Sequence, residues 1–325
     1  MICMLNRKMT FISVQPDVPY FHWQVEVMIH NFIKVGINPN WIEVIFSYGE
    51  YVSEEAKKLA TSYPYVRFFF YKRTVTNNQG YIPILRPDSL EQHFTKYPNL
   101  KNEPIFYHDS DIIFRELPDF DKLNSDDVWY LSDTVSYIGS KYIKSKSEDL
   151  FNTLCNIANI SPEIVESNES SSGGAQYLMK GIDADFWNEV KLNCLDLYSY
   201  MKDREQNERS NLSEDDLKKY NPIQKWCADM WAVLWNGWKR NHKTQISAEL
   251  DFSWGTSNMD AYDRCKIMHN AGVTNSKDGL FYKGEFINRN PFVEDLSFVK
   301  PNTASFKYVE AILYAKEERL KFRKD

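Results

Sequence analysis

In its first third the chain alternates short apolar, β-prone runs with stretches whose apolar residues recur at helical spacing, the pattern of a sheet built with crossover helices. Met9 to Val14 predicts a strand, and Phe21 to Val35 a helix with Val25, Met28, Ile29 and Phe32 on one face. A second unit follows, with a strand over Trp41 to Tyr48, a short helix over Ser53 to Ser62 capped by Ser53, and a third strand over Val66 to Tyr71. Arg86 to Tyr97 predicts a helix leading into a fourth strand, Pro104 to Tyr107, and Val128 to Leu131 completes this half.

Beyond residue 140 the pattern turns to Lys, Ser, Glu and Asn, with only local helical stretches. Ser167 to Gly174 (SNESSSGG) reads as an exposed loop, and residues 201–221 as a charged helix and loop in solvent. Apolar pieces lie between and after them, at Gln176 to Met179, Lys225 to Trp238 and Arg264 to Met268. Ala304 to Phe322 carries Phe306, Val309, Ile312 and Leu313 at helical spacing and predicts a C-terminal amphipathic helix.

Composition supports a folded core: of 325 residues, 43% are apolar and 15% aromatic. Cys3, Cys155, Cys194, Cys227 and Cys265 are widely spaced and form no CxxC pair, so they are expected as small buried side chains in a reducing compartment. Arg7 and Lys8 are followed by no long apolar run, so we expect no signal or membrane anchor and a soluble, cytoplasmic protein. A formal net charge of −6 argues against binding nucleic acid mainly through phosphate contacts.

The segment Pro104 to Phe114 sets Asp109 and Asp111 in an otherwise apolar run, where an unpaired charge is expensive. In an extended backbone residues two apart point to one side, so both carboxylates would address one point while Ser110 turns away. Two hard oxygen ligands suit Mn2+ or Mg2+; the alternative is a strand end and turn whose Asp side chains cap backbone N–H groups.

With this triplet after the fourth strand, the chain resembles the GT-A glycosyltransferases, and more loosely their retaining, glycogenin-like members, over roughly residues 9–285. The resemblance implies an α/β fold, a GT-A (Rossmann-like) mixed sheet flanked by helices. Residues 1–300 would form one catalytic domain, with a nucleotide-binding half at about 1–140 and an acceptor and sugar half at about 141–300, followed by the C-terminal helix over 301–325. It further implies that Asp109 and Asp111 bind Mn2+ or Mg2+ bridging the diphosphate of a nucleotide sugar, a UDP-sugar being the expected donor. The first strand and its turn, Val14, Gln15, Pro16 and Asp17, would line the nucleotide pocket. His269 and Gly272 match the His-x-x-Gly pattern that supplies a third metal ligand in retaining members, although a histidine ending a strand with a satisfied hydrogen bond fits as well. Where the family often has a Lys three residues after that Gly, this chain has Asn275, leaving Lys277 or Lys283 to hold phosphate.

Three further positions follow from the same resemblance. Gln176, after Gly173 and Gly174, would touch a sugar hydroxyl, unless this is only a loop re-entering the sheet. Asp229, in a helix with Trp231 and Trp235, would be the acid beside the donor sugar, with Asp251 as the weaker alternative. Arg86 would contact donor phosphate or be a surface charge. Trp226, Trp231 and Trp235 are expected in the core sooner than as a sugar platform. The acceptor would be a hydroxyl on a glycan, a protein or a modified nucleobase. The competing readings are a sugar-phosphate nucleotidyltransferase, which would want a glycine-rich loop where Ser13 to Pro19 stands, and a non-catalytic carbohydrate-binding protein.

Overall fold

The computed structural model describes residues 8–76 and 80–322; Cys3 and Arg7 lie outside them. The expected first half forms in the expected order: β1 (Thr10–Pro16), α1 (Pro19–Lys34), β2 (Ile42–Tyr48), α2 (Glu54–Ser62), β3 (Arg67–Lys72), α3 (Leu85–Lys96) and β4 (Ile105–His108). Pro19 starts α1, where a missing N–H costs nothing, and the Ser53 hydroxyl accepts from the Ala56 amide at 3.1 Å to cap α2. The chain then gives β5 (Ile112–Phe114), β6 (Trp129–Asp133), β7 (Gly173–Met179), β8 (Thr244–Ile246), β9 (Phe252–Trp254) and β10 (Ile267–His269).

The main sheet has seven strands in the order β3-β2-β1-β4-β7-β6-β8. Strands β1 to β4 run parallel, while β7 is antiparallel to β4 and to β6, so the sheet is mixed and flanked by helices. Every residue of β1 is buried, as a central parallel strand covered on both faces requires. A second sheet, β5-β10-β9, leaves the main one just past β4. Asn31 of α1 fastens it: its side chain accepts from the Phe114 amide at 2.7 Å and donates to the Phe114 carbonyl at 3.0 Å.

Three expectations need correction. Ala184–Ser210 is one 27-residue helix, where the sequence suggested local pieces. Its buried face, Phe186, Trp187, Val190, Cys194, Leu197 and Met201, is hidden in a strongly polar composition, and its charged end is laced by Arg204–Glu208 and Arg209–Glu205 pairs four residues apart. Ser167 to Gly174 is no open loop either. Glu169 accepts from the amide and hydroxyl of Ser140, and Ser172, Gly173 and Gly174 are buried where β7 begins. The C-terminal helix Ala304–Phe322 forms as expected, but its buried stripe is Tyr308, Val309, Ile312 and Ala315, with Leu313 43% exposed. It packs on α1, with Trp23 and Tyr308 edge to face at 6.4 Å. Cys155, Cys194 and Cys227 are buried and Cys265 half-buried, all as free thiols. Among the described residues no helix is long and apolar enough to cross a membrane.

His30, in the buried face of α1, lies 2.7 Å from the Tyr63 hydroxyl, and burial holds its imidazole down at about 4. The unfolded chain takes up a proton here near pH 6.5, whereas the folded one waits until about 4. Stability present above the upper value is therefore lost as pH falls through this window, by at most about 1.4 kcal/mol per pH unit per group. Urea unfolding between pH 7 and pH 5 should show this decline, and His30→Gln should flatten it. An unchanged slope would count against a neutral, buried His30.

Candidate metal centre and cleft

Strand β4 ends at His108, and Asp109-Ser110-Asp111 forms a turn that carries the chain into β5. The extended geometry expected for the triplet is therefore corrected: the turn, not strand alternation, sets the two carboxylates. From β1 the chain builds outward to β2 and β3, then returns to β4 on the other side of β1. That reversal opens a crevice at the carboxyl ends of β1 and β4, the place where open α/β sheets bind ligands. A cleft of about 440 Å³ lies there, lined by Val14 and Pro16, by all three residues of the triplet, and by Tyr137, Tyr177, Asp229 and Trp254.

His269 reaches the triplet through strand register. In the antiparallel β5–β10 pair it stands opposite Ile112, and the Asn270 amide donates to the Asp111 carbonyl at 2.9 Å. His269 Nε2 then lies 3.5 Å from Asp109 Oδ2 and 3.3 Å from Asp111 Oδ1. One ligand atom from each of the three residues falls within 4.8 Å of the others. Two carboxylates and an imidazole on one point form a donor set that a divalent cation such as Mn2+ fits.

The charges around the cluster also ask for cations. Arg86 lies 2.5 Å from Asp109 Oδ1 and 2.9 Å from Asp229 Oδ2, and Lys283 donates to Asp111. Burial alone would push the Asp111 carboxyl up, but Lys283 and His269 overcome it and hold this group well below the usual carboxylate range. Lys283 is in turn raised: burial would lower it, and Asp111 outweighs that. Asp229 goes the other way, raised by burial with Arg86 opposing, and accepts from the Tyr81 hydroxyl at 3.2 Å.

Of the residues singled out from sequence, Val14, Pro16, Arg86, Asp109, Asp111, Asp229, His269 and Lys283 all line the cleft. Gln15 and Asp17 do not. Gln15 is 2% exposed and donates to the Ile45 carbonyl, while the Asp17 carboxylate accepts from the Ser53 amide and hydroxyl and lies 2.7 Å from His22, pinning the start of α2. Period-two alternation along β1 contains this split, since Val14 and Pro16 share a side that Gln15 and Asp17 leave. Gln176 is fully buried behind the cluster, between Ser132 and His269. Lys277 is exposed and Asp251 half-buried, and neither lines the cleft. Trp231 and Trp235 are core, whereas Trp226 is 57% exposed at the cleft.

Sequence reasoning missed an aromatic wall of Tyr20, Phe21, Tyr107, Tyr137, Tyr177 and Trp254. Tyr107 alone carried a signal, two residues before Asp109; the others are brought in by separate elements. The Tyr177 hydroxyl is buried and has no hydrogen-bond partner among the described residues. Trp254 lies almost parallel to the His269 ring, 5.9 Å between centroids and 13° between planes.

No protein-family model matches the sequence, and no curated protein does. Solved structures do resemble the fold. The bifunctional glycosyltransferase WbbM, in its apo form, superposes on 99% of this chain with a TM-score of 0.50 at 10% identity. The match takes in 53% of WbbM, so this chain spans about half that protein's length. Mouse xyloside xylosyltransferase 1 matches over 82% of this chain and 99% of its own, with TM-score 0.38 and 10% identity. The glycosyltransferase GlyE of Streptococcus pneumoniae TIGR4 matches over 94% of this chain and 64% of its own, with TM-score 0.40 and 10% identity. At such identities the likeness to WbbM is one of fold, and that fold is the GT-A-type mixed sheet expected from the sequence.

If Asp109, Asp111 and His269 act together, the protein should bind one Mn2+ per chain, seen as loss of the free-ion signal in electron paramagnetic resonance. Asp111→Asn removes one charge from the cluster and should weaken binding at least about tenfold. Unchanged affinity in that variant would rule out the cluster as the Mn2+ site.

Proposed function

We propose that this chain is a metal-dependent glycosyltransferase that moves a sugar from a nucleoside diphosphate sugar to an acceptor hydroxyl, with retention at the anomeric carbon as the position of His269 suggests. The observation that carries the reading is the convergence of Asp109, Asp111 and His269 at the carboxyl ends of β1 and β4, in a cleft that also holds Arg86 and Lys283.

The charge balance supports it. With the carboxylates ionised, Asp109, Asp111 and Asp229 face Arg86 and Lys283, leaving one net negative charge. A divalent cation reverses that sign and makes the cleft a host for a diphosphate. Bound there by Asp109, Asp111 and His269, Mn2+ or Mg2+ would neutralise charge on the departing diphosphate. Lys283, released from Asp111, is placed to reach phosphate oxygen, which fills the role left open by Asn275. Arg86 keeps Asp229 as a partner and can turn its other N–H groups to the donor. Val14, Pro16, Tyr20 and Phe21 supply apolar surface for the nucleoside.

Asp229 and the unpartnered Tyr177 hydroxyl also line the cleft and would border the donor sugar, and the exposed Trp226 offers a flat apolar face. That face favours a glycan among the acceptor classes. Asp229 is held by Arg86 and Tyr81, so it acts by positioning and by its charge, and the leaving phosphate would accept the acceptor proton. A nucleotidyltransferase is disfavoured because Pro16 and Pro19, which lack N–H groups, stand where its phosphate loop would need backbone donors.

The test is a screen of nucleotide sugars, UDP-sugars first, with Mn2+ and with chelator. We expect metal-dependent release of nucleoside diphosphate, abolished in Asp111→Ala. Pyrophosphate release would instead point to nucleotidyl transfer, and full activity of Asp111→Ala would defeat the proposal.

A further inference from the structure

We infer that Gln176 is a positioning residue for the metal centre: through a buried relay to Ser132 and the Leu250 carbonyl, it holds His269 in the tautomer whose Nε2 is free to ligate. The inference rests on the metal centre of the proposed function.

The number of protons in this relay fixes its direction. As placed, Ser132 Oγ lies 2.6 Å from Gln176 Oε1 and 2.6 Å from the Leu250 carbonyl, while Gln176 Nε2 lies 3.4 Å from His269 Nδ1. Ser132 and Gln176 are both fully buried, so water cannot complete the set. A hydroxyl has one proton to give. With the amide oxygen toward Ser132, that proton faces two acceptors, and the amide N–H presses His269 Nδ1 into accepting. The imidazole proton would then sit on Nε2, aimed at Asp109 and Asp111.

The two ends of a carboxamide have the same shape, so hydrogen-bond chemistry decides between them. Turned the other way, every group is satisfied once. Ser132 donates to Leu250, the Gln176 N–H donates to Ser132, and Gln176 Oε1 accepts from His269 Nδ1–H. His269 Nε2 is left with its lone pair toward the two carboxylates, 3.3 and 3.5 Å away. An imidazole that gives its remote N–H to a fixed acceptor is the usual support of a metal-binding histidine.

A second observation shows that the backbone is shaped for this. Pairing between β6 and β7 shifts from Leu131↔Tyr177 to Ser132↔Gly174, so Ala175 and Gln176 form an irregularity in the ladder. Ala175 has φ 65°, the left-handed region that a residue with a side chain avoids. Strain of this kind is kept where surrounding structure requires it. Here the bulge turns Gln176 away from the cleft and behind His269. Gly174 is bound to the same arrangement, since a Cβ there would lie 2.5 Å from Met230 Cε and 2.8 Å from the Tyr177 hydroxyl.

The experiment reads the ring directly. In protein labelled with 15N-histidine at mildly alkaline pH, without metal, long-range proton–nitrogen spectra report which nitrogen of His269 carries the proton, assigned by comparison with His269→Asn. We expect the Nδ1–H tautomer, and Nε2–H in the wild-type protein overturns the inference whether or not any variant folds. Mn2+ titration supplies the second readout. Gln176→Leu should bind about 10–100-fold more weakly, whereas Gln176→Glu, which keeps an acceptor toward Nδ1–H, should retain affinity within about threefold. Wild-type affinity in Gln176→Leu overturns the inference too. Failure to transfer sugar would sink the enzyme reading alone, because neither the ring spectrum nor the Mn2+ titration depends on turnover.

Discussion

Two carboxylates set into an apolar wall have to be neutralised, and the carboxyl end of β4 is organised around that need. Asp111 is 4% exposed, and stripping a buried carboxylate of its partners costs about 3–5 kcal/mol. Lys283, Arg86 and His269 meet the demand from three separate stretches of chain. Each is anchored by packing: Lys283 opens a short turn whose Phe286 is buried against Trp23, Arg86 lies in the first turn of α3, and His269 ends a strand paired with β5. The cluster is thus a meeting point for the two sheets and the segment before the C-terminal helix.

The same constraint orders the surroundings. Because β5 begins directly after the triplet, its pairing with β10 brings His269 beside Asp111, and Asn31 keeps β5 from drifting. Behind His269, the bulge at Ala175 supplies Gln176; in front of it, Trp254 lies parallel to the ring. A ring with Trp254 parallel to it and Gln176 at its Nδ1 edge is held toward the carboxylates, which is the preorganisation that charge stabilisation in a cleft depends on.

Much of this was legible in the sequence, for physical reasons that also mark the limit. Strands β1 to β4 and helices α1 to α3 have one apolar face or none exposed, so periodicity found them. The Asp pair stood out because charge is costly in an apolar run, and His269 because of its spacing to Gly272. At Asp109 to Asp111 the sequence left an extended stretch and a turn both open, and the chain forms the turn, since alternation says nothing about where a strand stops. Gln15 and Asp17 were grouped with Val14 and Pro16 by position in the chain, although a strand separates them by side. Gln176 could not be aimed from sequence, because a bulge changes which way a residue points. The long helix Ala184–Ser210 was hidden by charges that its surface pairs neutralise.

The proposed binding of one divalent cation by Asp109, Asp111 and His269 rests on their convergence in the cleft. Its most direct test is a crystal structure with Mn2+ and a nucleoside diphosphate, using anomalous scattering to place the metal. One anomalous peak bonded to all three side chains is expected, with Lys283 moved from Asp111 to phosphate. A peak elsewhere, or none while Arg86 and Lys283 keep the carboxylates, would contradict it.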